Sequence, residues 1–122
     1  MFKLDGGSMF GIVPKPLWQK ICPPDDLNRI NNNTNCLLIR KEGRLILVDT
    51  GYGDKMTERD WSIYGFSGPT ILESLSILGV SAEDIDLVIL SHLHFDHVGG
   101  ATRSNEEGRI LPTFPKAQYV VQ

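Results

Sequence analysis

Apolar positions along the chain switch from short strand-like runs to helical spacing and back again. Residues 9–13 are an apolar run stopped by Pro14 and Pro16, and Asn31-Asn32-Asn33 reads as a polar turn. Two further apolar runs, at residues 36–40 and 44–49, flank Lys41-Glu42-Gly43, the pattern of a β-hairpin. Over residues 68–78, Ile71, Leu72, Leu75 and Leu78 recur at helical spacing, and Gly79 stands where a helix would end. Asp84-Ile85-Asp86 then leads into Leu87-Val88-Ile89-Leu90, a continuous β-prone run of the kind buried on both faces of a sheet. Beyond Gly99-Gly100 the chain is polar until residues 118–122, which begin another strand. The pattern predicts an α/β (α+β) fold with a mixed or mainly antiparallel sheet.

All 3 histidines of the chain fall directly behind the Leu87–Leu90 run, in Ser91-His92-Leu93-His94-Phe95-Asp96-His97. Functional groups commonly sit on loops just beyond the carboxyl ends of such strands, where rigid backbone fixes them and solvent reaches them. His92 and His94 are two apart, so in extended backbone both imidazoles point the same way and can grip one ion. Asp96 and His97 follow a change of direction and can serve a neighbouring ion. Zinc accepts imidazole nitrogen and carboxylate oxygen, and catalytic zinc keeps one position open beside three protein ligands. The plain alternative for these residues is a hydrogen-bonded His/Asp loop without an ion.

Composition narrows the field. With 41% hydrophobic and 22% charged residues the sequence is that of an ordinary globular domain. A net charge of -3 without a Lys/Arg cluster argues against nucleic acid as a partner. No apolar run approaches signal-peptide or membrane-helix length, so no membrane partner and a cytoplasmic location are expected. Cys22 and Cys36 are accordingly expected as reduced thiols.

The segment His92-x-His94-x-Asp96-His97 resembles the signature of the metallo-β-lactamase superfamily. Leu45-Ile46-Leu47-Val48-Asp49-Thr50-Gly51 resembles that superfamily's preceding strand and its Asp-Thr-Gly turn. The opening, Asp5 to Trp18, is similar to the lactonase-like branch, which includes quorum-quenching lactonases and shades into organophosphate hydrolases. The resemblance runs from Asp5 to the Phe114-Pro115-Lys116-Ala117 segment. It implies an αββα sandwich built from two similar halves, with residues 1–122 as the amino-terminal portion of one such domain, truncated where the first half passes into the second. It further implies two zinc ions, or another divalent metal, held in part by His92, His94, Asp96 and His97. Asp96 would also act catalytically as a proton acceptor or relay, and Asp49 would support the metal loop without being a principal ligand; a plain turn-forming role for Asp49 is the alternative.

The activity so implied is opening of a lactone, such as an N-acyl homoserine lactone, or a related ester by metal-activated water. The same motif serves thioester, organophosphate and β-lactam hydrolases. The resemblance also calls for a further histidine, a bridging aspartate and a last histidine that this sequence lacks. A non-catalytic metal-binding fragment that needs a complementary chain or a second copy is therefore the competing expectation. Met9, Phe10 and Trp18 read as core or lid packing before substrate contacts. Tyr52, Trp61, Tyr64 and Phe66 could line an acyl-chain pocket or fill a hydrophobic gap.

Overall fold

In chain order the computed structural model, which describes residues 1–121, carries β1 (Phe2–Asp5), α1 (Gly6–Phe10), α2 (Lys15–Trp18), β2 (Arg29–Asn32), β3 (Leu37–Lys41), β4 (Arg44–Val48), α3 (Glu58–Tyr64), α4 (Ile71–Ile77), β5 (Leu87–Leu90), α5 (Phe95–Val98), β6 (Thr102–Ser104), β7 (Ile110–Pro112) and β8 (Gln118–Val121). The elements fall into two compact units. One comprises Met1–Asn33 and Thr57–Gly68; the other comprises Thr34–Met56 and the chain from Pro69 onward.

The second unit is built on a mixed sheet of order β3-β4-β5-β8. The β3–β4 hairpin is antiparallel, with Lys41 opposite Arg44. Its two-residue turn places Glu42 at φ 52° and Gly43 at φ 77°, the doubly positive pattern that matches the twist of a hairpin and that glycine relieves. β5 runs parallel to both β4 and β8. Parallel neighbours need long crossovers, and the crossover between β4 and β5 carries α4.

Helix α4 starts later than apolar spacing alone suggests. Thr70 is its N-cap, and Thr70 and Glu73 satisfy each other's backbone amides in a capping box, so residues 68–70 lie outside the helix. Gly79, at φ 67°, follows its end. The helix turns Leu75 into the core with Ile71 and Leu72 against it, while Leu78, counted from the sequence among the apolar positions, is 59% exposed. That core joins Leu47, Val88 and Leu90 of the sheet to Val80, Ala82, Ile85, Ala101 and Phe114. The stretch after Gly100, polar in sequence, folds as a small β6–β7 hairpin. Tyr119 anchors it by donating its hydroxyl to the Ala101 carbonyl. The strand expected at residues 118–122 is present as β8, with Gln122 outside the described residues.

The first unit pairs β1 with β2 in antiparallel register, Phe2 opposite Asn32 and Asp5 opposite Arg29. Asp25 ties it together by accepting from the Leu27 and Arg29 amides, the Arg29 side chain and Lys3. Arg29 in turn donates to the Ser62 and Ile63 carbonyls at the end of α3. Trp18 is buried and stacks on Phe10 at 4.9 Å between ring centres; Met9, read with them as packing, is 48% exposed. Trp61 and Tyr64 both pack on buried Phe66, which lies against Phe2. Phe66 therefore fills a hydrophobic gap within this unit, with Tyr64 and the half-exposed Trp61 packed against it, whereas Tyr52 is buried in the other. Cys22 and Cys36 carry free thiols. Among the described residues no helix is long and apolar enough to cross a membrane.

Candidate metal centre

The site is assembled where β4 and β5 end side by side. The sheet ladder runs one residue past β4, the Asp49 amide donating to the Ile89 carbonyl at 2.8 Å. Asp49 then takes up φ 59°, the left-handed region that aspartate tolerates better than most residues. This conformation breaks the strand and leaves the carboxylate beside the residues that follow β5.

Asp49 organises that loop. Its Oδ1 accepts from the Ser91 amide at 2.8 Å, and its Oδ2 accepts from the Ser91 hydroxyl at 2.9 Å and lies 2.8 Å from His97 Nδ1. Burial pulls the Asp49 carboxyl upward, but the hydrogen bonds from His97 and Ser91 outweigh it and hold the group below the usual aspartate range. A carboxylate can only accept. In neutral His97 the ring proton is therefore on Nδ1, and Nε2 presents its lone pair. The Ser91 proton is likewise committed to Asp49, so His92 Nδ1, 3.1 Å from Ser91 Oγ, is the donor there and His92 Nε2 is left as the acceptor. One carboxylate thus sets the tautomer of two imidazoles, one directly and one through a hydroxyl.

Those free lone pairs meet other donor atoms at close range. His92 Nε2 lies 3.1 Å from His94 Nδ1, and His97 Nε2 lies 3.4 Å from Asp96 Oδ2. Two ligands bound at roughly 2.0–2.1 Å to one tetrahedral ion stand about 3.3 Å apart. Each pair has the separation that shared coordination requires. The His92 ring also lies 4.0 Å, centre to centre, from that of His97 and 4.6 Å from that of His94. The donor set therefore fits zinc in chemistry and in pairwise spacing. Among the described residues, however, no three histidine, cysteine, aspartate or glutamate side chains are disposed to hold one ion between them.

The carrier of Asp96 and His97 is a single turn, α5, with no side-chain cap on its first residue. So short a helix does not hold itself, and the segment from Asp49 to Lys55 supplies the restraint. Thr50, fully buried, donates both its amide and its hydroxyl to the His97 carbonyl at 2.8 Å. The Gly100 amide donates to the Gly51 carbonyl at 3.0 Å, and the Lys55 ammonium donates to the carbonyls of Gly99 and Thr102. Burial lowers the Lys55 pKa, with the Asp54 charge opposing it. Backbone lies on backbone here: a Cβ on Gly99 would stand 2.3 Å from the Tyr52 oxygen, and one on Gly100 would stand 2.2 Å from the Thr50 oxygen. Only glycine permits that approach.

The structure thus brings His92, His94, Asp96, His97 and Asp49 together. Sequence reasoning missed the linking role of Ser91, the double bond from Thr50 and the whole contribution of Lys55. Ser91 and Thr50 adjoin residues already singled out, but Lys55 reaches a carbonyl 44 positions away, and no local pattern signals that. Cys36 also lies in this unit, its thiol pushed up to about 11 by burial and then by the Asp49 charge, and such a neutral thiol makes a poor ligand.

Comparison with known proteins bears on the site directly. The family model for the metallo-beta-lactamase superfamily matches residues 29–110. A solved structure of a probable metal-dependent hydrolase from Staphylococcus aureus is 35% identical, with a TM-score of 0.86 over 99% of this chain and 43% of its own length. The dizinc quorum-quenching lactonase AidC, solved with N-hexnoyl-L-homoserine as product, is 35% identical, with a TM-score of 0.54 over 75% of this chain and 27% of its own. An N-acyl homoserine lactonase of Bacillus cereus is 33% identical over 93 residues, 60% of this chain and 34% of that protein. The chain spans less than half the length of each of these relatives.

Proposed function

Because the chain belongs to the metallo-beta-lactamase superfamily, we propose that it forms part of a metal-dependent hydrolase that opens a lactone ring. His92 and His94 are the donors to one zinc ion, and Asp96 and His97 the donors to a second. The observation that carries this reading is the two pairs of donor atoms at 3.1 and 3.4 Å, with His92 and His97 held by Asp49 in the tautomers that free their Nε2 lone pairs.

When bound, zinc polarises a carbonyl and lowers the pKa of water towards roughly 7. The chain's own residues supply the rest. Asp49 and Ser91 keep the His92 and His97 imidazoles in one orientation, which reduces the reorganisation of these two rings on loading. Asp96, partly exposed beside His97, accepts or relays the proton released when water attacks. Two donors per ion fall short of the three that catalytic zinc usually has. The remaining ligands come from the rest of the same domain, of which this chain is the amino-terminal portion, or from a complementary chain. A lactone is favoured over a thioester, organophosphate or β-lactam by the likeness to the two lactonases.

The absence of a third donor among the described residues favours one competing reading, a metal-binding or hydrogen-bonded cluster without turnover. The test is hydrolysis of N-hexanoyl homoserine lactone, followed by proton release. The proposal expects turnover by this chain combined with the remainder of its domain, loss of turnover with a chelator, and little or none from the chain alone. Chelator-sensitive turnover of a thioester, an organophosphate or a β-lactam, with the lactone untouched, would contradict the substrate assignment; no turnover of any would favour the competing reading.

A further inference from the structure

We infer that Lys55 is a positioning residue for the metal centre, clamping the far end of α5 so that Asp96 and His97 stand as a fixed pair. This rests on the reading of these two residues as metal donors. The observation behind it is the double contact of one ammonium with the carbonyls of Gly99 and Thr102, immediately beyond the turn that carries both side chains.

Asp49 and Thr50 hold His97 within the turn, and different groups restrain the chain on its two sides. At its start, β5 and the Asp49–Ser91 bonds fix the chain as it enters His92 and His94. Past its last residue the next strand, β6, begins only at Thr102. Gly99 leads into a 3₁₀ turn over Gly99–Ala101, and the direction of that turn relative to the Asp49–Lys55 segment decides where α5 points. Gly53 sets how close the two segments come, since a Cβ there would lie 2.6 Å from the Gly99 oxygen. Lys55 holds them at that distance together with the Gly100 amide on the Gly51 carbonyl, and of the two it alone reaches beyond Gly100 to Thr102. Its ammonium is a point donor with several protons, suited to bridging two carbonyls at once, and it is partly buried, where a bond to a charged donor is stronger than in water. Removing the amine therefore loosens the exit of the turn and leaves its entry untouched. Asp96 and His97 should feel the change, and His92 and His94 should not.

The experiment is a cobalt(II) titration of the chain combined with the remainder of its domain, and of its variants, with the d–d absorption and the affinity of each equivalent recorded. Lys55→Met, which keeps most of the stem, is expected to bind the equivalent held by Asp96 and His97 about tenfold more weakly, at the low end for residues that orient metal ligands. The equivalent held by His92 and His94 should stay within about twofold. Lys55→Arg, which keeps the cation, is expected to restore most of the loss. Should Lys55→Met not fold, as judged by circular dichroism, Lys55→Gln carries the same comparison. Equal affinities in wild type and variant would overturn the proposal. So would a parallel loss at both equivalents together with a lower urea midpoint of the metal-free protein, because Lys55 would then only stabilise the fold. Failure of the wild-type protein, so combined, to bind cobalt at all would remove the metal reading itself, and the role of Lys55 with it.

Discussion

At the scale of single residues, Asp49 carries more than any ligand. Its carboxylate is the shared acceptor for the Ser91 amide, the Ser91 hydroxyl and the His97 ring. Asp49→Asn keeps the shape but replaces one acceptor oxygen with a donor that faces Ser91 and His97. Zinc affinity should fall about 10–100-fold, the usual consequence of removing a group that orients metal ligands; competition against a chromophoric chelator measures it. Asp25 makes a different prediction. The Arg29 amide, with the Arg29 and Lys3 side chains and the Leu27 amide, holds its carboxyl well below the usual aspartate range against the opposing pull of burial. A lowered folded-state pKa means that its contribution is complete above the unfolded value of about 3.9 and is lost as pH falls through the folded one. The urea midpoint of the wild-type chain should therefore drop on acidification below about pH 4. In Asp25→Asn the midpoint should start lower at pH 7, and the gap between the two proteins should narrow towards acid.

At the scale of elements, the close contact of Gly99 and Gly100 with the Thr50–Gly53 segment is the joint on which the centre depends. Gly100→Ala forces a methyl against the Thr50 carbonyl, and overpacking of this kind costs about 1–3 kcal/mol, readable as a lower urea midpoint. Gly108 has nothing within 4 Å of its Cβ position but sits at φ 75°, so Gly108→Asn, which tolerates that backbone, should cost far less. The sequence made some elements legible and others not. The β3–β4 hairpin and β5 were readable because continuous apolar runs and a Glu-Gly turn are local signals, and α4 was readable because its apolar spacing is regular. Its true start depended on the Thr70–Glu73 cap. Helix α3 also has a capping box, Thr57 with Asp60, but its Trp61, Ile63 and Tyr64 give no clean apolar face; Trp61 and Ile63 are 50% and 45% exposed. The pairing of β1 with β2 was illegible for another reason: it closes more than twenty intervening residues, and no pattern within either strand names its partner. In the centre, the ligand-type residues were readable from their spacing, whereas Ser91, Thr50 and Lys55 act through tertiary hydrogen bonds.

At the scale of the molecule, the four-stranded sheet has two apolar faces, and the core accounts for one. The register puts Leu38, Leu47, Val88 and Tyr119 on the face that packs on the core. On the other face lie Leu37, Val48, Ile89 and Val120 in one row, with Ile39, Ile46 and Leu87 in the next. Leu37 is 56% and Val120 42% exposed. Contiguous apolar surface of this kind drives association, so the isolated chain should sediment faster than a 13.6 kDa monomer, and Leu37→Lys with Val120→Lys should shift it towards monomer. The central claim, that two donor pairs hold metal, is tested most directly by counting zinc. After loading and exhaustive dialysis, elemental analysis of the chain combined with the remainder of its domain should give two zinc ions per molecule. Replacing His92 and His94 together with alanine should remove one ion, and replacing Asp96 and His97 should remove the other. A protein lacking all four side chains that still retained as much zinc as the wild type would contradict the account.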